Sequence, residues 1–312
     1  MKEFVIQKDD ANQRVDKFIM KTMKTMPKSL MYKYIRNKKI KVNRKRCEIS
    51  QRLQEGDTVQ CFIAEEFFEN KKELKFLKVP SKVNCLYEDN NIILLCKPSG
   101  LLVHSDTKEL QDNLADRYLH YLYEKKEYDP EISQSFTPAL CHRIDRNTEG
   151  IVIAAKNAEA LREMNNCIKE RKVDKYYLCI VEGKMETNKS IIEVWHKKFE
   201  DNHVEISKDK KDGYQKVVTG YKVLSEKNGF SLLEVELITG KSHQIRAIMS
   251  FLGHPLYGDI KYGAKRNGRQ DYQALCAYKV NFHTENNSIL SYLDGKEFML
   301  QDTGVEKIYK NL

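Results

Sequence analysis

No apolar run in this sequence approaches the roughly 18–20 residues that a membrane-crossing helix needs. The first ten residues, Met1 to Asp10, lack the apolar stretch of a secretory leader, so a cytoplasmic protein is the expectation. None of the eight cysteines stands in a C-x-x-C pair or at zinc-finger spacing to a histidine. A chain of 312 residues can bury a core without staples, so the cysteines read as reduced, mostly buried thiols, and neither disulfides nor a bound metal is expected. Phosphate-cradling glycine loops, dinucleotide fingerprints and the glycine loop of methyl-donor binding are missing as well. No cofactor is therefore expected. The chemistry left open is redox-neutral and needs no external group donor.

Positive charge is there, and it is localised. Formal net charge is +9, but residues 14–46 hold thirteen Lys and Arg against the single acid Asp16. That segment carries +12 and the remainder sums to −3. A cationic module on a near-neutral body suggests a polyanion-binding appendage rather than a diffusely basic surface. Its pattern is also ordered. Val15, Phe18, Ile19 and Met23 recur at helical spacing, with Asp16 and the lysines expected to face outward. Leu30, Met31, Tyr34 and Ile35 give a second short helix after Pro27. Alternation at Ile40 and Val42, then at Val59, Cys61 and Ile63, gives short strands. The bases expected to meet RNA phosphates are Lys28, Lys33, Arg36, Lys38, Lys39, Lys41, Arg44, Lys45 and Arg46.

Residues 64–80 read as a linker. Beyond them, β-type runs at 92–96, 151–155, 178–181 and 232–237 interleave with helical stretches near 111–125, 157–170 and 243–252. The lysine-rich stretch 196–216 reads as a long hairpin or surface loop. Without regular βαβ spacing, this favours an α+β domain on a mixed or antiparallel sheet. No heptads suggest a coiled coil, so a monomer is expected.

Four segments carry candidate chemistry. They are Lys97-Pro98-Ser99-Gly100-Leu101-Leu102-Val103-His104, His142-Arg143-Ile144-Asp145-Arg146-Asn147-Thr148-Glu149-Gly150, Lys175-Tyr176-Tyr177 through Gly183, and Gly240-Lys241-Ser242-His243-Gln244-Ile245-Arg246 with Gly253-His254-Pro255 through Asp259. Each alone has a structural explanation: a local ion pair, a core tyrosine, a helix-stopping turn. Together they supply one carboxylate flanked by Arg143 and Arg146, an aromatic hydroxyl, and a distant helical cation. Arginines beside an aspartate favour its ionised form. A metal site built from His104, His142, Asp145, His243, His254 and Asp259 is a weaker reading, because those residues lack helical ligand spacing.

In this order, behind such a module, the segments resemble the RluA family of RNA pseudouridine synthases, over about residues 12–283. Residues 1–63 resemble an S4 RNA-binding domain, with 64–80 joining it to a catalytic domain over 81–312. The layout is most similar to the RluC and RluD branch, which acts on large-subunit ribosomal RNA, and Pro27-Lys28-Ser29-Leu30-Met31-Tyr32 leans towards RluC. The resemblance implies a role for each matching residue. Asp145 would be the essential aspartate and Arg246 the arginine that pairs with it. Tyr177 would be the active-site tyrosine, because it lies six residues before Gly183. Arg143 would enter the RNA stack where the target base leaves, while Lys97, His104, His142, Gln244 and His254 would be architectural. A non-catalytic S4-type RNA-binding or ribosome-associated protein is the alternative, but Asp145, Tyr177 and Arg246 are all present. The sequence departs from the family pattern at Thr148-Glu149-Gly150, Gly240-Lys241-Ser242-His243 and Leu275-Cys276-Ala277, where RNA contacts rather than the reacting groups are at stake.

Overall fold

Strand β1 (Lys2–Val5), helices α1 (Val15–Thr22) and α2 (Lys28–Arg36), and strands β2 (Ile40–Val42), β3 (Lys45–Arg46) and β4 (Thr58–Cys61) fold around a core of their own. The computed structural model describes residues 1–68, 74–105, 111–266, 268, 270 and 272–312. In the N-terminal module the strands form one sheet, ordered β1-β4-β2-β3. Val15, Phe18, Ile19, Met31 and Ile35 close over it from the two helices. Asn43 and Arg44 both take positive φ, +51° and +64°, which matches the twist of a two-residue hairpin turn between β2 and β3. Arg44, Lys45 and Arg46 are thereby exposed at its tip.

One expectation fails here. Asp16 does not face outward: it is 3% exposed and receives both Nε and Nη2 of Arg14, at 3.0 and 2.9 Å. Lys17 and Lys21 of α1 do face solvent. A first-turn carboxylate is favoured by the helix dipole, and a guanidinium within reach offsets the cost of burying it.

The stretch expected to be a linker is anchored at its end. Residues Lys75–Lys78 form a 3-10 turn and Phe76 is buried against Tyr128 and Tyr123. Then follow β5 (Cys85–Glu88), β6 (Ile92–Lys97), α3 (Leu114–Glu124), β7 (Ala139–Leu140), β8 (Glu149–Ala155), α4 (Ala158–Lys169), β9 (Val173–Glu182), β10 (Lys189–Lys198), β11 (Val204–Ser207), β12 (Gln215–Lys227), β13 (Phe230–Glu236), α5 (Gln244–Phe251), β14 (Leu275–Phe282), β15 (Glu297–Met299) and α6 (Gly304–Lys310). The order across the large sheet is β11-β10-β12-β13-β9-β14-β8-β6-β5, with β15 on β14 and β7 on β8. The β8–β14 pair is parallel while the other strand pairs are antiparallel, so the sheet is mixed as expected. The lysine-rich stretch 196–216 forms the β10–β11 hairpin and the entry to β12.

The central strands are apolar throughout because both faces are covered. Ile93, Leu95, Val152 and Ala154 pack under α3 and α5, whereas Ile92, Leu94, Ile151 and Ile153 pack on the α4 side. Strand β8 also crosses close to β14. At Gly150, φ +125°, an added Cβ would stand 2.2 Å from the Ala277 carbonyl oxygen, so no side chain fits.

The module and the large domain meet through polar caps. The Asp9 carboxylate accepts the Ala158 N–H at 2.8 Å, at the start of α4. Buried Asp10 accepts both the N–H and the hydroxyl of Ser135. Among the described residues no helix is long and apolar enough to cross a membrane.

Candidate active site

The loop between β7 and β8 sets the direction of its side chains by alternation. Ile144 is buried in the core, which turns Arg143 and Asp145 the other way. Thr148 closes the turn by donating its N–H to the Asp145 carbonyl at 3.1 Å, and Lys97 holds the loop from beneath. Lys97, 1% exposed, donates through Nζ to the carbonyls of Pro98, Leu101 and Arg146 at 2.9, 2.7 and 2.7 Å. Burial pushes its pKa down to about 8, against the pull of Asp145 and Glu149.

Asp145 is not fully buried, as a carboxylate flanked by arginines in a core loop would be; its side chain is about a quarter exposed, at 26%. Its ion pair is not with its neighbours in the sequence. Among the described residues neither Arg143 nor Arg146 pairs with it. Arg143 is exposed and Arg146 donates Nε to the Gly100 carbonyl. The partner is Arg246, a residue 101 positions away, whose Nη1 donates to Asp145 Oδ2 at 3.0 Å.

Two residues to which the sequence reading gave a role only in the weaker metal-site set complete the arrangement. Asp259 accepts Arg246 Nε at 2.6 Å and Nη2 at 2.8 Å, a bidentate fork that fixes the guanidinium plane. Burial disfavours the arginine's charge, but the Asp259 bonds and charge, with Asp145, raise its pKa above the ordinary value. His243, in the left-handed conformation at φ +53°, brings Nε2 to 3.9 Å from Asp145 Oδ2 and shares Nδ1 with the Tyr262 hydroxyl at 2.8 Å. Burial lowers its pKa. The available signal was the nearness of His243 and Arg246 in the sequence, with His243 at the N-cap position of α5.

Tyr177 lies beside them. With Cys179 and Val181 it faces the α3–α5 side of the sheet, and Tyr176 faces the other. Burial and the Asp145 charge push its phenol well up, so the hydroxyl keeps its proton at neutral pH. The other expected residues surround this centre. His142 Nε2 accepts the Ile153 N–H at 3.1 Å, and burial pushes the imidazole down to about 3. Gln244 uses its whole amide, accepting from Thr239 and Lys241 and donating to Val218 and Thr219. His254 Nδ1 sits 2.9 Å from the Glu182 carbonyl, and His104 is exposed. Among the described residues no three His, Cys, Asp or Glu side chains converge as a metal site would require.

Asp145, Arg246, Tyr177 and His243 line a cleft of about 930 Å³. Lys169, Arg171, Lys175, Lys198, Lys216 and Lys241 line it too. One carboxylate held by a fixed cation, beside a protonated phenol, in a basic cleft wide enough for a nucleotide, can act on a neutral centre of a polyanion without a redox partner. The departures from the expected motif have visible causes. Glu149 accepts the Val305 N–H at 3.2 Å and so serves the start of α6, away from the cleft.

A mixed sheet covered on both faces, with this cleft at the β8–β9–α5 junction, defines an α+β enzyme domain. Residues 91–251 match the family model described as RNA pseudouridylate synthase. A Mycoplasma capricolum protein named "Uncharacterized RNA pseudouridine synthase" is 34% identical, over 95% of this chain and 96% of its own. The "Ribosomal large subunit pseudouridine synthase C" of Vibrio cholerae is 31% identical, over 84% of this chain and 80% of its own. The solved structure titled "Human RNA Pseudouridylate Synthase Domain Containing 4" shares the fold, with TM-score 0.55 and 21% identity over 70% of this chain and 88% of that one. The chain belongs to the RNA pseudouridylate synthase family, in its RluA branch. It isomerises uridine to pseudouridine in RNA.

Proposed function

We propose that the protein modifies large-subunit ribosomal RNA, with Asp145 acting at the ribose C1′ of an everted uridine. The contact that carries this reading is the 3.0 Å bond from Arg246 Nη1 to Asp145 Oδ2 in the cleft floor. The isomerisation breaks N1–C1′, turns the uracil, joins C5 to C1′, and moves the C5 proton to solvent as N1 gains one. Attack on C1′ and stabilisation of a sugar cation ask the same of Asp145: an ionised oxygen close to C1′. Arg246 orients it through the Nη1 bond to Oδ2. Tyr177 packs against the uracil and offers a protonated hydroxyl.

Taking a base out of its stack costs a few kcal/mol. Exposed Arg143, on the rim one turn of chain from Asp145, is suited to fill the gap that the base leaves. Residues 1–63 would be an S4-type module that adds phosphate contacts, 64–80 the connection, and 81–312 the isomerising domain. The exposed hairpin of Arg44, Lys45 and Arg46 supports the first of these. The names of the Vibrio relatives support the ribosomal substrate, which a cytoplasmic monomer would meet.

The test is to incubate the protein with undermodified large-subunit ribosomal RNA and map pseudouridine by carbodiimide labelling and primer extension. Wild type should give a discrete stop, and Asp145→Asn none while still binding the RNA. No product from wild type would refute the ribosomal substrate; undiminished product from Asp145→Asn would refute the role of Asp145.

A further inference from the structure

Lys175 is a cation in the catalytic cleft that has no partner among the described residues. It lies on β9 two residues before Tyr177 and on the same face, about 7 Å along the strand. Its backbone is held on both sides, opposite Val280 on β14 and by the Leu237 N–H to its carbonyl at 2.9 Å. The side chain lines the cleft, and its Nζ lies 3.9 Å from where a Cβ on Gly240 would stand. No hydrogen bond or ion pair to Nζ is present among the described residues. Two acids also line the cleft, but Asp174 is bonded to His283 at 2.7 Å, and the Glu236 carboxylate stands beside Gly220, 3.4 Å from where a Cβ there would lie.

Burial lowers the Lys175 pKa and no carboxylate offsets it. By contrast, Arg246 in the same cleft has two. A cation taken from water without a counter-charge is costly, and such a position is explained when a ligand anion completes it. Among the described residues the ion-pair partners of Asp145 are Arg246 and His243, and Lys175 is not one of them. In a nucleotide whose C1′ meets Asp145, the charged groups displaced across the ribose are the phosphodiesters. Before cleavage the uracil offers only neutral carbonyls, and neutral methylphosphonate linkages in the RNA separate a phosphate contact from one to the uracil anion released when N1–C1′ breaks.

We propose that Lys175 is a phosphodiester-binding residue, taking one of the two phosphates that flank the everted uridine. The bond would anchor the backbone while the base turns, so that the freed uracil re-forms its bond at a sugar that has not moved. This rests on Asp145 marking the position of C1′.

The test uses the full-length protein and a short RNA whose modified uridine has been mapped with wild type. Two further RNAs carry a neutral methylphosphonate at the phosphate 5′ or 3′ to that uridine. Lys175→Met should lower kcat/KM by about tenfold or more, the size of one charge-assisted hydrogen bond, and Lys175→Arg should restore most of it. One of the two methylphosphonates should cost wild type a similar factor and cost Lys175→Met little. Thermal unfolding of Lys175→Met should occur at or above the wild-type temperature, because a partly buried charge without a counter-ion has been removed.

Full activity of Lys175→Met would overturn the proposal, as would equal methylphosphonate penalties in both proteins. A lowered melting temperature would assign Lys175 a structural role instead. The reading of Asp145 fails separately, through product formation by Asp145→Asn.

Discussion

Asp259 takes two of the three guanidinium nitrogens of Arg246, at 2.6 and 2.8 Å, and leaves Nη1 for Asp145. The outer carboxylate is 2% exposed while Asp145 meets the cleft, so the buried pair acts as a fixed mount for the exposed one. This relationship divides two acids by role: one holds the arginine and the other is held by it.

Removing the mount should therefore damage turnover more than RNA binding. Asp259→Asn keeps the volume but loses the charge and one acceptor, and kcat should fall by about ten- to hundredfold, the worth of a charge-assisted bond. Binding of a ribosomal RNA fragment should change little. Arg246→Lys should be no better, since a point cation cannot fork to Asp259 and still reach Asp145. Wild-type kcat in Asp259→Asn would remove the mount from the mechanism.

For Tyr177, packing and proton chemistry make separable predictions. Its raised pKa keeps the phenol protonated through neutral pH, so the rate should have no tyrosinate limb below about pH 10. If the ring face is what the uracil needs, Tyr177→Phe should retain activity within about tenfold, and Tyr177→Leu should lose about hundredfold or more. Equal losses in both would move the emphasis to the hydroxyl.

His142 gives a stability test with a definite sign. Its Nε2 accepts the Ile153 N–H, so the folded protein holds it neutral with a pKa pushed down to about 3, whereas the unfolded chain binds a proton near pH 6.5. Stability from this group is complete above pH 6.5 and is lost as pH falls from there towards 3, at up to about 1.4 kcal/mol per pH unit. Urea unfolding at pH 7.5, 6, 5 and 4 should thus steepen its acid loss relative to His142→Gln. Parallel curves for the two proteins would contradict the neutral, accepting imidazole.

Gly150→Ala should fail for steric reasons. The new Cβ would lie 2.2 Å from a backbone oxygen of β14, at a φ of +125° that side chains rarely adopt. Either the β8–β14 pairing opens or the strand shifts, and both move the Asp145 loop. A loss of about 3 kcal/mol or more is expected, with activity falling alongside it. A variant with wild-type melting would show that β14 can give way.

The basic hairpin has an electrostatic signature. Replacing Arg44, Lys45 and Arg46 by Gln should reduce the slope of log affinity against log salt by about two to three, if each meets a phosphate. An unchanged slope would remove the hairpin from the RNA path.

The sequence by itself determined the main helices, several of the strands and the segments that carry the candidate site. Period-3.6 patterns marked α1, α4 and α5, continuous apolar runs marked β6 and β8, and the segments around Asp145, Tyr177 and Arg246 carried the family resemblance. Those signals are local, because periodicity and short motifs depend on neighbours in the chain. What only the tertiary structure decided is which charges meet. Arg143 and Arg146 adjoin Asp145 in sequence, yet Arg246 is its partner, because the turned loop points its neighbours away and the sheet brings α5 across. Asp16, expected outside, is inside because Arg14 reaches it. Asp259 and His243 gained their places, and Lys175 its lack of a partner, in the same way. Charge pairing acts over a few ångströms in space, and separation along the chain carries no information about it until the strands are in register.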